Sequence, residues 1–157
     1  AKSEKWDKVR AQAVLLLRDN PSHKGLQSLK REASAALARS KVEALIKDLD
    51  AALAKGDAEA AVRLLDAENK QVYATETAAL RRMTQVGTFL ESTHELDSKI
   101  QFEGDFAIVK SVWRFRLELL GQPPKSFRAI HVLTLSREGK DGWLIFELQV
   151  EGDIHVQ

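Results

Sequence analysis

Two histidines are the residues best suited to moving protons near neutral pH. His94 lies in "TFLESTHEL", in step with Leu90 and Leu96, and His131 lies in "FRAIHVLTL", in step with Ala129, Leu133 and Leu135. A histidine on the apolar face of a strand can serve as a general base. The plainer reading, a hydrogen-bonded core or sheet residue, is the one this pattern favours. Tyr73 and Glu147 are candidates for a donor and a carboxylate, against a plain reading as snorkelling or surface side chains. With Trp113 on the same apolar face, Tyr73, His94, Trp113 and His131 are the candidate lining of a ligand cavity. The sequence holds no Ser/His/Asp arrangement, no glycine-rich phosphate loop and no metal-ligand spacing. It therefore implies no metal and no cofactor, and an enzyme is the less favoured reading.

A second set of side chains suits recognition. Lys110, Arg114 and Arg116 alternate along "VKSVWRFRL", and Arg128 sits in the following apolar run. They are interspersed with Val112, Ile130 and Val132. A solvated face does not need those branched residues, although strand propensity accounts for part of them. Arg tolerates partial burial and presents forked donors, so Val112, Arg114, Arg116, Arg128 and Ile130 form a candidate protein interface, for a partner or for a homodimer. An isologous pair requires each Arg to meet a carboxylate such as Glu118, Glu147 or Glu151 of its mate. Nucleic acid is not expected, because no stacking aromatic interleaves the basic residues and net charge is only +1.

These groups belong to a chain of 157 residues, 44% apolar and 30% charged, the composition of one folded domain. Residues 1–50 carry 11 basic and 7 acidic residues, leaving 13 and 16 for the rest, an imbalance of +4 against −3 that selects no partner. The absence of cysteine removes disulfides and thiolate chemistry and fits any compartment. No apolar run approaches the ~20 residues that span a bilayer, so the chain reads as a soluble domain without membrane insertion. It begins at Ala1 rather than Met, which is compatible with an upstream targeting segment or membrane anchor.

The elements that must position these groups follow from periodicity. Trp6, Val9, Ala13, Leu16 and Leu17 mark one helical face. "RDNPSHKG" interrupts it, with Asn20 as the expected cap of a second helix and Pro21 at its first position. That helix carries Leu26, Leu29, Ala33 and Leu37. The step of five to Val42 predicts a bend or a change of packing partner near Ser40, before Leu45, Ile46, Leu49 and Leu53 resume the stripe. Gly56 ends it and Asp57 caps a helix turning Ala60, Ala61, Leu64 and Leu65 inward. A further helix is expected from about Asn69 to Gln85. After Gly87 the period changes to two. "TFLESTHELDSKIQF" places Leu90, His94, Leu96, Ile100 and Phe102 on one face, and a hairpin at Glu103–Asp105 leads into "FAIVKSVWRFRLELL". "GQPPK" and "REGKDG" separate two more strands. Short loops between successive strands mean an antiparallel meander.

From about Val42 to Gly152 this order resembles the nuclear-transport-factor-2-like superfamily. The resemblance rests on "LIKDLDAALAKGDAEAAVRLLD", a helix pair hinged at Gly56-Asp57, on the third helix, on "GDFAIVKSVWRFRLEL", and on the closing "SREGKDGWLIFELQ". It implies an α+β fold, with N-terminal helices packed on a curved, cone-shaped, four-stranded antiparallel sheet, and a ligand cavity on the concave face. Many members carry a short strand or hairpin between the second and third helices; here "DAENKQVYATETAALRRM" reads as helix almost throughout. The family's isomerases and dehydratases use Asp or Tyr–Asp–His sets that do not map residue by residue onto this chain.

The expected organisation is a helical extension over residues 1–40 and the α+β domain over 41–157. The extension is similar to the end of a tetratricopeptide-type repeat, on "AQAVLLLRDNPSHKGLQSL". The expected function is a non-catalytic ligand- or protein-binding domain of a larger protein, the ligand being small and apolar. The alternatives are a small-molecule isomerase or dehydratase using a cavity histidine, and a helical-repeat adaptor.

Overall fold

The structure, a computed structural model, describes residues 2–97 and 99–157. The fold is α+β, with four helices followed by an antiparallel sheet. The helices are α1 (Lys2–Asp19), α2 (Lys24–Ala54), α3 (Ala58–Val62) and α4 (Lys70–Val86); the strands are β1 (Gly87–Leu96), β2 (Gln101–Glu103), β3 (Phe106–Leu119), β4 (Lys125–Glu138) and β5 (Gly142–Val156). The chain divides into two compact units, Ala1–Ala44 and Leu45–Gln157, with α2 contributing to both.

In the first unit Ala13, Ala33, Leu37 and Val42 are buried, while Trp6, Val9, Leu17 and Leu26 are half-buried. Leu16 and Leu29 are more exposed than the periodicity indicates, at 53% and 39%. The buried stripe is narrow, and Leu16 and Leu29 fall on its flanks. The second helix starts later than expected. Residues 21 and 22 form a turn, and the His23 ring, rather than Asn20, caps α2 by accepting from the Leu26 amide at 3.2 Å. Helix α2 then runs unbroken through Ser40.

In the second unit Gly56 ends α2 at a φ of +66°, where a left-handed residue is needed. Asp57 caps α3 by accepting from the Ala60 amide at 2.9 Å. Helix α3 stops at Val62, before Leu64 and Leu65. Their backbone serves the sheet instead: Ile145 N–H donates to Leu64 O, Asp66 N–H donates to Ile145 O, and Leu65 forms a parallel bridge with Ile145. The segment Asp66–Met83, read as helix almost throughout, is helical from Lys70 on, and a non-helical stretch from Arg63 to Asn69 precedes it. Asn69 caps α4 through the Val72 amide. At Gly87 the chain passes from α4 straight into β1, and a Cβ there would lie 2.8 Å from Glu118 O.

The sheet order is β1-β3-β4-β5, with β2 also paired to β3. The expected first strand is therefore two, β1 ending at Leu96 and β2 beginning at Gln101, with Asp97, Lys99 and Ile100 outside the ladder; Ser98 lies outside the described residues. A second departure concerns phase. A bulge between Phe89 and Glu91 turns Phe89 inward, 4% exposed, and Leu90 outward, 43% exposed. Phe102, also expected inside, is 45% exposed. From Ser92 onward the inner phase is regular. Along β3 the inward residues Ala107, Val109, Ser111, Trp113 and Phe115 are buried, as are Ala129, His131, Leu133 and Leu135 along β4. They meet Leu45, Ile46, Leu49, Leu53, Ala61, Val62 and Leu80 of the helices to make one core, all among the buried residues.

Candidate functional site

The inner face of the sheet brings His94 and His131 together through Trp113. β1 pairs His94 with Trp113 and β4 pairs His131 with Ser111 of β3, so the histidines come from the strands on either side of β3. The Trp113 ring stacks on His94 at 5.5 Å and 5°, and on His131 at 4.8 Å and 23°. His94 Nε2 lies 2.8 Å from His131 Nδ1.

The group that organises them is Asp50, from α2, which sequence reasoning missed. Its Oδ1 accepts from Ser92 Oγ at 2.7 Å and lies 2.8 Å from His94 Nδ1; its Oδ2 accepts from the His94 amide at 3.0 Å. Trp113 Nε1 donates to Ser92 Oγ at 3.0 Å, closing the polar circuit. A signal for Asp50 was present: it stands four residues after Ile46 and three before Leu53, and so on the apolar face of α2. An acid in that position needs a buried partner.

Donor and acceptor roles follow from chemistry. An ionised carboxylate only accepts, so His94 Nδ1 carries the hydrogen. Between the two rings one nitrogen donates and the other accepts, so His94 Nε2 and His131 Nδ1 share a single hydrogen. The far end of the chain is His131 Nε2, which has no hydrogen-bond partner among the described residues. The His94 side chain is fully buried, that of Asp50 is 14% exposed, and His131 as a residue is 5% exposed. Burial, and next the nearby His94 charge, hold the His131 pKa down at about 3, against the pull of Asp50. His131 is therefore neutral at physiological pH. Chemically the set can orient an imidazole and pass hydrogen-bond polarity along its length.

The other candidates lie apart. Tyr73 is half-buried on α4 and bonds to neither histidine. Glu147 is half-buried on β5 and accepts from Gln149 Nε2. Its charge, after burial, helps raise the pKa of Glu76, whose carboxyl takes the Leu148 amide. Asp66, a second buried acid not foreseen, accepts from Ser136 Oγ at 2.6 Å and from the Glu68 amide at 2.9 Å.

The outer face presents the recognition set in one field. The register aligns Glu95, Val112, Ile130 and Glu151 in one row across β1, β3, β4 and β5, and Thr93, Arg114, Arg128 and His155 in the next. Val112, Ile130 and Val132 are half-buried. Glu95, Leu96, Lys110, Val112, Arg114 and Ile130 line most of a depression of about 350 Å³. Its rim charges are paired within the chain, Arg114 with Glu95 at 2.9 Å and Lys110 with Glu151 at 3.0 Å. Two other depressions of this unit, along Ala78 and Met83 of α4 and beside Asp66 and Phe146, also lie away from the histidines. Among the described residues no helix is long and apolar enough to cross a membrane, and no group of three acidic or histidine side chains is placed to hold a metal ion.

No family model and no curated protein matches the chain. Among solved structures it is similar to a SEC-C motif containing protein from Rhodopseudomonas palustris, known from a solution structure. The identity is 19% and the TM-score 0.44, over 65% of this chain and 72% of that one.

Proposed function

We propose that this chain is a non-catalytic protein-binding domain of nuclear-transport-factor-2-like kind, and that its partner docks on the outer face of the sheet. The carrying observation is the Val112–Ile130 pair, half-buried and open in a depression framed by charges. Every polar group of the inner cluster up to His131 Nδ1 is already satisfied within the chain. The fold assignment rests on the Gly56-Asp57 hinge, the third helix and the long antiparallel strands. The family's extra strand would correspond to the single Leu65–Ile145 bridge.

Charge favours a different protein over a second copy. A two-fold axis parallel to the strands between β3 and β4 lays Arg114 over Arg128 and Glu95 over Glu151. An axis along the Val112–Ile130 row lays each glutamate over its own copy. Both stack like charges. The second reading, an isomerase or dehydratase acting on a small apolar ligand, draws on the Asp50–His94–His131 chain. It requires a substrate to reach a histidine that is 5% exposed and held neutral.

Panning a displayed peptide library against the full chain, with the folded Val112→Asp variant as counter-selection, tests the proposal. The expected result is a set of peptides that bind the parent and lose at least tenfold in affinity on the variant. Peptides indifferent to Val112→Asp and Ile130→Asp, or none at all, overturn it.

A further inference from the structure

We infer that the outer face selects an acidic segment of its partner, gripped by the Arg116 and Arg128 guanidinium groups; this rests on the protein-binding reading above. The outer face carries four basic side chains on β3 and β4, and two of them are spent: Lys110 on Glu151 and Arg114 on Glu95. Arg116 and Arg128 are not. Among the described residues neither makes an ion pair or a side-chain hydrogen bond, although Glu91 stands opposite Arg116 in the ladder. Arg128 pairs directly with Arg114 in the register, so Arg116 is its diagonal neighbour, at about 7–8 Å between side-chain origins. Both sit on the side of Val112 and Ile130 that leads toward Leu119 and Lys125.

The energetic argument turns on water. Arg128 is half-buried before any partner arrives, and a partner covering Val112 and Ile130 removes solvent from both guanidinium groups. A guanidinium stripped of water without an acceptor is costly, and neither of these is paired with a carboxylate of its own chain among the described residues. The acceptors must come from the partner. A carboxylate meets a guanidinium in two parallel hydrogen bonds, and two such forks on one side of an aliphatic pair describe a segment with two acidic residues to one side of a branched apolar one. Nucleic acid fits less well. Its regularly spaced phosphates would run onto Glu95, Glu118 and Glu151, and no exposed Phe, Tyr or Trp on these rows offers a stacking platform.

The test takes peptides selected on the parent chain, resynthesises them with each Asp and Glu replaced by Asn and Gln, and measures binding by fluorescence anisotropy. The arms are the parent, Arg116→Gln/Arg128→Gln and Arg116→Lys/Arg128→Lys, with a random 12-nucleotide RNA as a competing probe. The expected result is enrichment of acidic peptides, a loss of about tenfold or more on the glutamine variant or the amide peptides, and partial rescue by lysine. Val112-dependent peptides that are neutral or basic, or that bind the glutamine variant equally well, overturn the acidic class while leaving protein binding intact. Arg-dependent RNA binding with no peptide binding overturns both.

Discussion

The two faces of one sheet, drawn from alternate residues of the same strands, handle polarity in opposite ways. On the inner face Asp50, Ser92, His94, Trp113 and His131 satisfy one another in a water-poor interior, so each depends on its neighbours. On the outer face charges meet in separate, solvent-facing pairs, Arg114–Glu95 and Lys110–Glu151, and Arg116 and Arg128 are left over. A network that is closed and buried contributes to stability and specificity of the fold. Open pairs whose members are all exposed contribute little to folding, which frees that face for recognition.

The sharpest way to break the contrast is Asp50→Ala. It strips three hydrogen bonds from the carboxylate and leaves buried donors on Ser92 and His94 unpaired, with an expected loss of about 3–5 kcal/mol. Urea unfolding followed by Trp fluorescence checks it, and a loss under about 1 kcal/mol would mean that the network is not coupled to folding. The bulge offers a comparison one residue apart. Phe89→Ala removes a ring packed at 6.1 Å from Trp113 and 5.6 Å from Phe115 and should cost about 3 kcal/mol or more. Leu90→Ser next to it should stay within about 0.5 kcal/mol. Similar costs at both positions would contradict the assigned phase.

Acid titration separates the faces again. The folded pKa of His131 is about 3, below the unfolded value of 6.5, so the unfolded chain binds a proton that the folded chain refuses. The sign is therefore that stability contributed by His131 is fully present above pH 6.5 and is lost as pH falls from there to about 3. A decline of a few kcal/mol across that window is expected, and His131→Gln should flatten it; an unchanged slope in that variant assigns the loss to other groups. The smallest effects belong outside. Arg116→Gln/Arg128→Gln should move the unfolding midpoint by no more than about 0.5 kcal/mol equivalent. Val112→Asp should cost about 1 kcal/mol and still leave a folded chain.

Local signals carried much of this architecture. Gly56-Asp57 fixes a helix end and the next cap, and alternation along β3 and β4 placed Trp113 and His131 inside. The errors arose where a distant segment decides the outcome. The bulge at Leu90 inverts the phase of Phe89 because pairing with Leu117 and Arg116, not β1 alone, sets it. Helix α3 ends at Val62 because Ile145, about eighty positions later, claims the backbone of Leu64 and Asp66. Asp50 was overlooked for a related reason. Its partners lie 42 and 44 residues away, and only its placement on an apolar helix face hinted at them.

That separation has a temporal consequence. The Asp50 carboxylate meets the His94 amide across 44 residues, and the His94–His131 bond spans a further 37. Closing loops of this length carries an entropic cost that local helix formation does not. The helices therefore have the means to form early, while the Asp50 latch closes with the last consolidation of the sheet. Its formation would mark arrival at the native state: a change at Asp50 should speed unfolding far more than it slows folding.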